Sequence, residues 1–157
     1  MKVRHIVLIV LILLLGLSVV QLRRYLGDQV ATHHIEVVRK VLDEQVAAWN
    51  KGDLDAFMEG YRKGDELRFY SGDDIQIGWQ ATIERYRKRY QAEGAEMGKL
   101  EFRELSIETL GTDAALVRGR WHLTRTKDTP HGLFTLIVKR FPEGWRIVHD
   151  HTSAAPE

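Results

Sequence analysis

Residues 46–57 read VAAWNKGDLDAF. An apolar helical stretch ending in Trp49 meets Asn50-Lys51-Gly52, where a glycine is free to take the left-handed conformation that terminates a helix. Asp53 follows as a cap for a second, short helix over LDAFMEGY, with Phe57 and Tyr61 one turn apart on one side. A helix stop followed at once by a helix start fixes a sharp change of direction.

Upstream, Val30, Val37, Val38, Val41, Leu42, Val46 and Trp49 recur at helical spacing from Asp28 to Asn50. Further back, Lys2, Arg4 and His5 precede the apolar run IVLIVLILLLGLSVV at 6–20, and Arg23 and Arg24 follow it. Two readings stand. With Leu22 and snorkelling flanks the run approaches the ~20 residues of a membrane anchor. The alternative is a cleaved signal, with Gly16-Leu17-Ser18 as a poor cleavage site. We therefore expect an anchor or signal at 1–26 and one domain at 27–157, attached to the membrane through residues 6–22. Signal-anchor logic places that domain outside the cytoplasm, in the periplasm, or secreted if the segment is cleaved.

Downstream, LRFYSGDDIQI at 67–77 gives two short extended pieces around a turn-rich tetrad. GWQATIERYRKRY then predicts a third helix with Trp79, Ile83, Tyr86 and Tyr90 on its apolar stripe. After Gly98 the period changes to that of strands: KLEFRELSIETLG, DAALVRGRWHLTRT, GLFTLIVKRF and GWRIVHDHTS are separated by turn signals. In the first run Leu100 and Phe102 alternate, then Leu105 and Ile107, a phase shift that predicts a β-bulge. Helices followed by a meander define an α+β class, with three helices over an antiparallel sheet after the N-terminal hydrophobic helix. The run GLFTLIV is apolar on both faces, and a partner subunit is the expected cover for the second.

VAAWNKGDLDAF and FYSGDDIQIGWQATIERY resemble the front half of the nuclear transport factor 2-like superfamily. GWRIVHDHTSAAP resembles the closing strand of its SnoaL-like and ketosteroid-isomerase-like members, and also that of the calcium/calmodulin-dependent kinase II association domain. The resemblance covers roughly residues 30–154 and implies a cone: a strongly bent sheet around the first helix, a pocket at the open end, and a homodimer through the sheet's outer face.

Steroid isomerases of this fold use an aspartate base and an oxyanion hole of a tyrosine and a protonated aspartic acid. On this resemblance the three positions fall at Gln45, at or beside Phe69, and around Ile137. None carries the required group, so steroid-isomerase chemistry is not expected. The family's inward arginines of the association domain fall at Trp121 and Leu136, which makes the pocket mostly apolar and favours a hydrophobic or aromatic ligand over an anion.

The candidate pocket residues are Gln45, Trp49, Tyr61, Phe69, Trp121 and His149. Gln45 is read equally as a core amide or as a ligand-orienting one. In GWRIVHDHTS, strict alternation puts Trp145, Ile147, His149 and His151 on one face and Asp150 on the other. His149 is then the histidine that reaches the pocket. The two histidines have a feasible spacing for a metal, but no third ligand can be placed, so no metal or cofactor is expected.

The chain has 157 residues, a net charge of +1 and no cysteine, which excludes disulfides, thiolate sites and a thiol nucleophile. In RYRKRY, Tyr86 and Tyr90 belong to the buried stripe and Arg85, Arg87, Lys88 and Arg89 to a solvated face, so nucleic acid is not an expected partner. Three functions compete: a non-catalytic binder of a small molecule, an enzyme with a rewired site using His149 or Gln45, and a dimerisation module.

Overall fold

The computed structural model describes residues 2–156, with side chains for residue 5 and for 14–156. The chain divides into two compact units, Met1–His34 and Ile35–Glu157. Helix α1 spans Lys2–Trp49, so the expected hydrophobic helix and the first helix of the domain form one element. The sequence between them contains no proline, and the isolated Gly27 costs only about 1 kcal/mol of helix propensity. Among the described residues no helix is long and apolar enough to cross a membrane. The side chains of residues 6–13, where much of the expected span falls, lie outside those described.

In the second unit, the end of α1 buries Val38, Val41, Leu42, Gln45, Ala48 and Trp49 along one face. The helix stops as its sequence requires. Gly52 takes φ 77° and the Gly52 and Asp53 amides donate to the carbonyls of Trp49 and Ala48. Asp53 then caps α2 (Leu54–Met58), its carboxylate accepting from the Ala56 amide at 2.9 Å. A hairpin follows, β1 (Arg68–Ser71) and β2 (Asp74–Ile77), and then α3 (Trp79–Tyr90). The remaining strands are β3 (Lys99–Thr109), β4 (Ala114–Thr124), β5 (His131–Phe141) and β6 (Gly144–Thr152).

The six strands form one sheet in the order β2-β1-β6-β5-β4-β3. The sheet is mixed rather than antiparallel. Strand β1 lies parallel to β6, with Arg68 opposite His149 and Ser71 opposite Thr152. Only hairpin-linked neighbours are forced to run antiparallel, and β1 meets β6 from the other end of the domain.

Two bulges shape the inner face. In β3 the register with β4 shifts between Arg103 and Ser106, with Glu104 at φ 52°, as the change of apolar phase predicts. The shift keeps Leu100, Phe102, Leu105 and Ile107 packed on the core. The second bulge is in β6. Val138 pairs with Ile147 and Ile137 with His149, leaving Val148 without an opposite residue. Beside it, Ile147 exchanges hydrogen bonds with Gly60 and Arg62, so residues 60–62 extend the sheet ahead of β1.

Candidate functional site: an aromatic cavity with a buried carboxyl

The end of α1, α2, α3 and the inner face of the sheet enclose a cavity of about 400 Å³. Trp49, Phe57, Tyr61, Phe69, Tyr86 and Tyr90 pack ring to ring on its helical side, with the Trp49 and Tyr90 centroids 4.8 Å apart and those of Phe57 and Tyr86 5.5 Å apart. Phe102, Trp121, Leu123, Phe134 and Leu136 supply the opposite wall from β3, β4 and β5. Gly119 makes room there, because a methyl group in its place would stand 2.7 Å from the Phe134 ring and 2.9 Å from Leu105.

Polar atoms fix these walls. The Trp49 indole donates to the Gly98 carbonyl at 3.1 Å and that of Trp121 to Ser153 at 2.9 Å. Asn50 clasps the start of β3, accepting from the Leu100 amide at 2.7 Å and donating to its carbonyl at 3.0 Å. Gln45 is spent in the same way, its amide donating to the Phe57 carbonyl at 3.1 Å and tying α1 to α2.

The β6 bulge decides what else enters the cavity. Past Val148 the alternation reverses, so Asp150 and Thr152 point inward and line the cavity while His149 and His151 turn outward. The expectation that His149 faces the pocket and Asp150 faces away is therefore corrected: one unpaired residue exchanges the two faces. His149 and His151 pack instead on Tyr70, at 5.1 and 5.9 Å between ring centroids. Burial, followed by the neighbouring His151, holds the His149 imidazole below its ordinary pKa.

Asp150 is 3% exposed. Tyr61 donates to one carboxyl oxygen at 2.8 Å and Thr152 to the other at 2.6 Å. Burial pushes the carboxyl pKa up to about 6, against the lowering effect of the Thr152 and Tyr61 hydrogen bonds and of His151. Burial also raises the hydroxyls of Tyr61 and Tyr86 well above the ordinary tyrosine value, with Asp150 the next cause in each case. A tyrosine and a carboxyl thus meet in the cavity, although not from the positions that the isomerase resemblance indicates. Their arrangement also differs, since the single Tyr61 proton is committed to Asp150 rather than aimed at a ligand.

Of the six candidates read from sequence, Gln45, Trp49, Tyr61, Phe69 and Trp121 line the cavity and His149 does not. Sequence reasoning missed Asp150, Thr152, Arg85 and Arg89. The two arginines border the cavity from α3, where a fully solvated face was expected. Among the described residues, no group of three histidine or carboxylate side chains is placed to hold a metal.

The chain belongs to the SnoaL-like domain family, which matches over residues 38–157. Among solved structures, it is similar to an NTF-2-like protein of unknown function from Shewanella oneidensis MR-1. The two share 40% identity with a TM-score of 0.70, over 75% of this chain and 97% of that one. An NTF2-like superfamily protein from Salmonella enterica shares the fold at 19% identity and TM-score 0.69, over 80% of this chain and 94% of that one. So does a putative calcium/calmodulin-dependent protein kinase type II association domain from Thiobacillus denitrificans, at 22% identity and TM-score 0.62, over 74% and 93% of the two chains. No curated protein matches the chain.

Proposed function

We propose that this SnoaL-like domain binds a small apolar or aromatic molecule in the cavity between α3 and the sheet. The observation that carries this reading is the cavity itself: about 400 Å³, walled by aromatic rings, with a few convergent polar groups. That size and lining are typical of small-molecule sites. The neutral bicyclic probe naphthalene-2-carboxamide tests it, followed by calorimetry and by the emission of Trp49 and Trp121. Saturable quenching with a raised thermal midpoint is expected. Absence of both, for neutral and charged bicyclic probes alike, overturns the reading.

One observation favours a second, catalytic reading. A carboxyl that titrates near 6 inside an apolar site suits general acid–base work near neutrality. Asp150, and not His149, is the group for that role, because only Asp150 lines the cavity. Any turnover found by substrate profiling should vanish in Asp150→Asn and persist in His149→Ala, and the opposite result removes the reading.

The same proposal includes attachment to a membrane through residues 6–22 and pairing of two copies through the sheet's outer face. The apolar run, with Leu14, Leu15, Leu17 and Leu22 more than half exposed, supports the first. Leu133, 51% exposed on the outer face of β5, supports the second. Retention in the membrane pellet after a high-salt wash, and a dimer mass by light scattering in detergent, are the expected results.

A further inference from the structure

Arg85 and Arg89 stand one turn apart on α3, and both line the cavity. Arg85 is anchored: it donates to the Asp74 carboxylate at 2.6 Å, and its guanidinium lies 6.0 Å from the centre of the Phe69 ring. That single bond occupies one of its five N–H donors. Arg89 is exposed and lies 5.6 Å from the centre of the Tyr90 ring, with no carboxylate paired to it among the described residues. Arg87, on the same helix, is not part of the lining and is paired with Asp55 at 2.6 Å.

The exposed mouth therefore carries two guanidinium groups against one carboxylate, Asp74, and is bordered by Ser71, Gly72 and Ser153. Beneath it the walls are aromatic. A ligand that is apolar throughout would leave the arginines unused. One with an anionic end would pair with them while its body stays among the rings. Planar guanidinium groups favour a carboxylate in this setting, since they offer two parallel N–H donors to its two oxygens.

We propose that the ligand is an amphipathic carboxylate, its ring system enclosed by Trp49, Tyr86, Tyr90 and Trp121 and its carboxylate bound by Arg85 and Arg89. This inference rests on the reading of the cavity as a small-molecule site. It adds the charge, the orientation and the residues that select them.

The test is calorimetric titration of the full-length protein with naphthalene-2-carboxylate and, separately, with naphthalene-2-carboxamide, which has the same shape without the charge. The carboxylate should bind about tenfold tighter. Arg89→Gln should remove that advantage, lowering carboxylate affinity far more than carboxamide affinity. Raising the ionic strength should weaken only the carboxylate. Arg89 is exposed and has no ion pair among the described residues, so its replacement should keep the fold; Arg85→Lys, which retains the charge and loses the fork, should give an intermediate loss. Equal affinities for the two probes, or an Arg89→Gln variant that affects neither or both alike, overturns the carboxylate inference while the apolar-ligand reading survives. Binding of neither probe overturns both.

Discussion

Tyr61, three residues beyond the end of α2, donates its hydroxyl to Asp150 on β6 at 2.8 Å. The bond joins the helical layer to the sheet inside the cavity, and it requires Asp150 to point inward. Its consequences can be measured.

The first is a pH dependence of stability. The Asp150 carboxyl titrates near 3.8 in the unfolded chain and at about 6 in the folded one, so the folded state holds the proton more tightly. Its favourable contribution is complete below pH 4 and is lost as pH rises through 6, a change of about 3 kcal/mol. Asp150→Asn, which cannot ionise, should flatten chemical-denaturation stability between pH 4 and 7 and exceed the wild type above pH 7. A wild-type curve that rises over this interval contradicts the prediction.

Tyr61→Phe removes the donor and keeps the ring. The buried carboxyl then loses one of its two protein partners, which should cost about 1–3 kcal/mol at pH 8. At pH 4, where Asp150 is protonated, the cost should be smaller. Urea midpoints at the two pH values measure the difference.

His149→Ala should leave probe binding unchanged, because the imidazole packs on Tyr70 outside the cavity. Stability should fall by no more than about 1 kcal/mol, the scale of a ring-to-ring contact. A loss of affinity with the fold intact would place the histidine on the wrong side of β6.

Gly119→Ala puts a methyl group 2.7 Å from the Phe134 ring and 2.9 Å from Leu105. Such overpacking costs about 1–3 kcal/mol, and any accommodation pushes Phe134 into the cavity. Thermal unfolding and probe affinity should therefore decline together.

Legibility in the sequence followed local chemistry. The α1 stop and the Asp53 cap were readable because Gly52 and Asp53 act through their own backbone surroundings. The β3 bulge was readable because apolar residues flank it on both sides and record the change of phase. In β6 the residues after the bulge are His149, Asp150, His151 and Thr152, which carry no hydrophobic phase to read. The one available sign was Val148 directly after Ile147, two adjacent apolar residues in an otherwise alternating strand. Part of the cavity wall was legible in Gln45 and Trp49 of α1 and in Tyr61, Phe69 and Trp121, whereas Tyr86 and Tyr90 of α3 were legible only as a buried stripe. Arg85 and Arg89 were assigned to solvent because a helical period separates a buried stripe from an exposed face. It does not mark the flank between them, where α3 borders the cavity mouth. The parallel contact of β1 with β6 joins distant segments and leaves no local trace.

The unpaired Val148 also bears on how such domains diverge. Loss of its codon would restore simple alternation in β6 and keep the pairings on either side, with Ile147 inward, His149 outward and Asp150 inward. A three-base deletion or insertion at this point is thus absorbed by the bulge, and the acid stays at the base of the cavity. Two relatives whose closing strands differ in length by one residue can present the same group to a ligand. In this lineage the informative comparison therefore counts back from Thr152 and not forward from Trp145, because the bulge takes up the difference between the two counts.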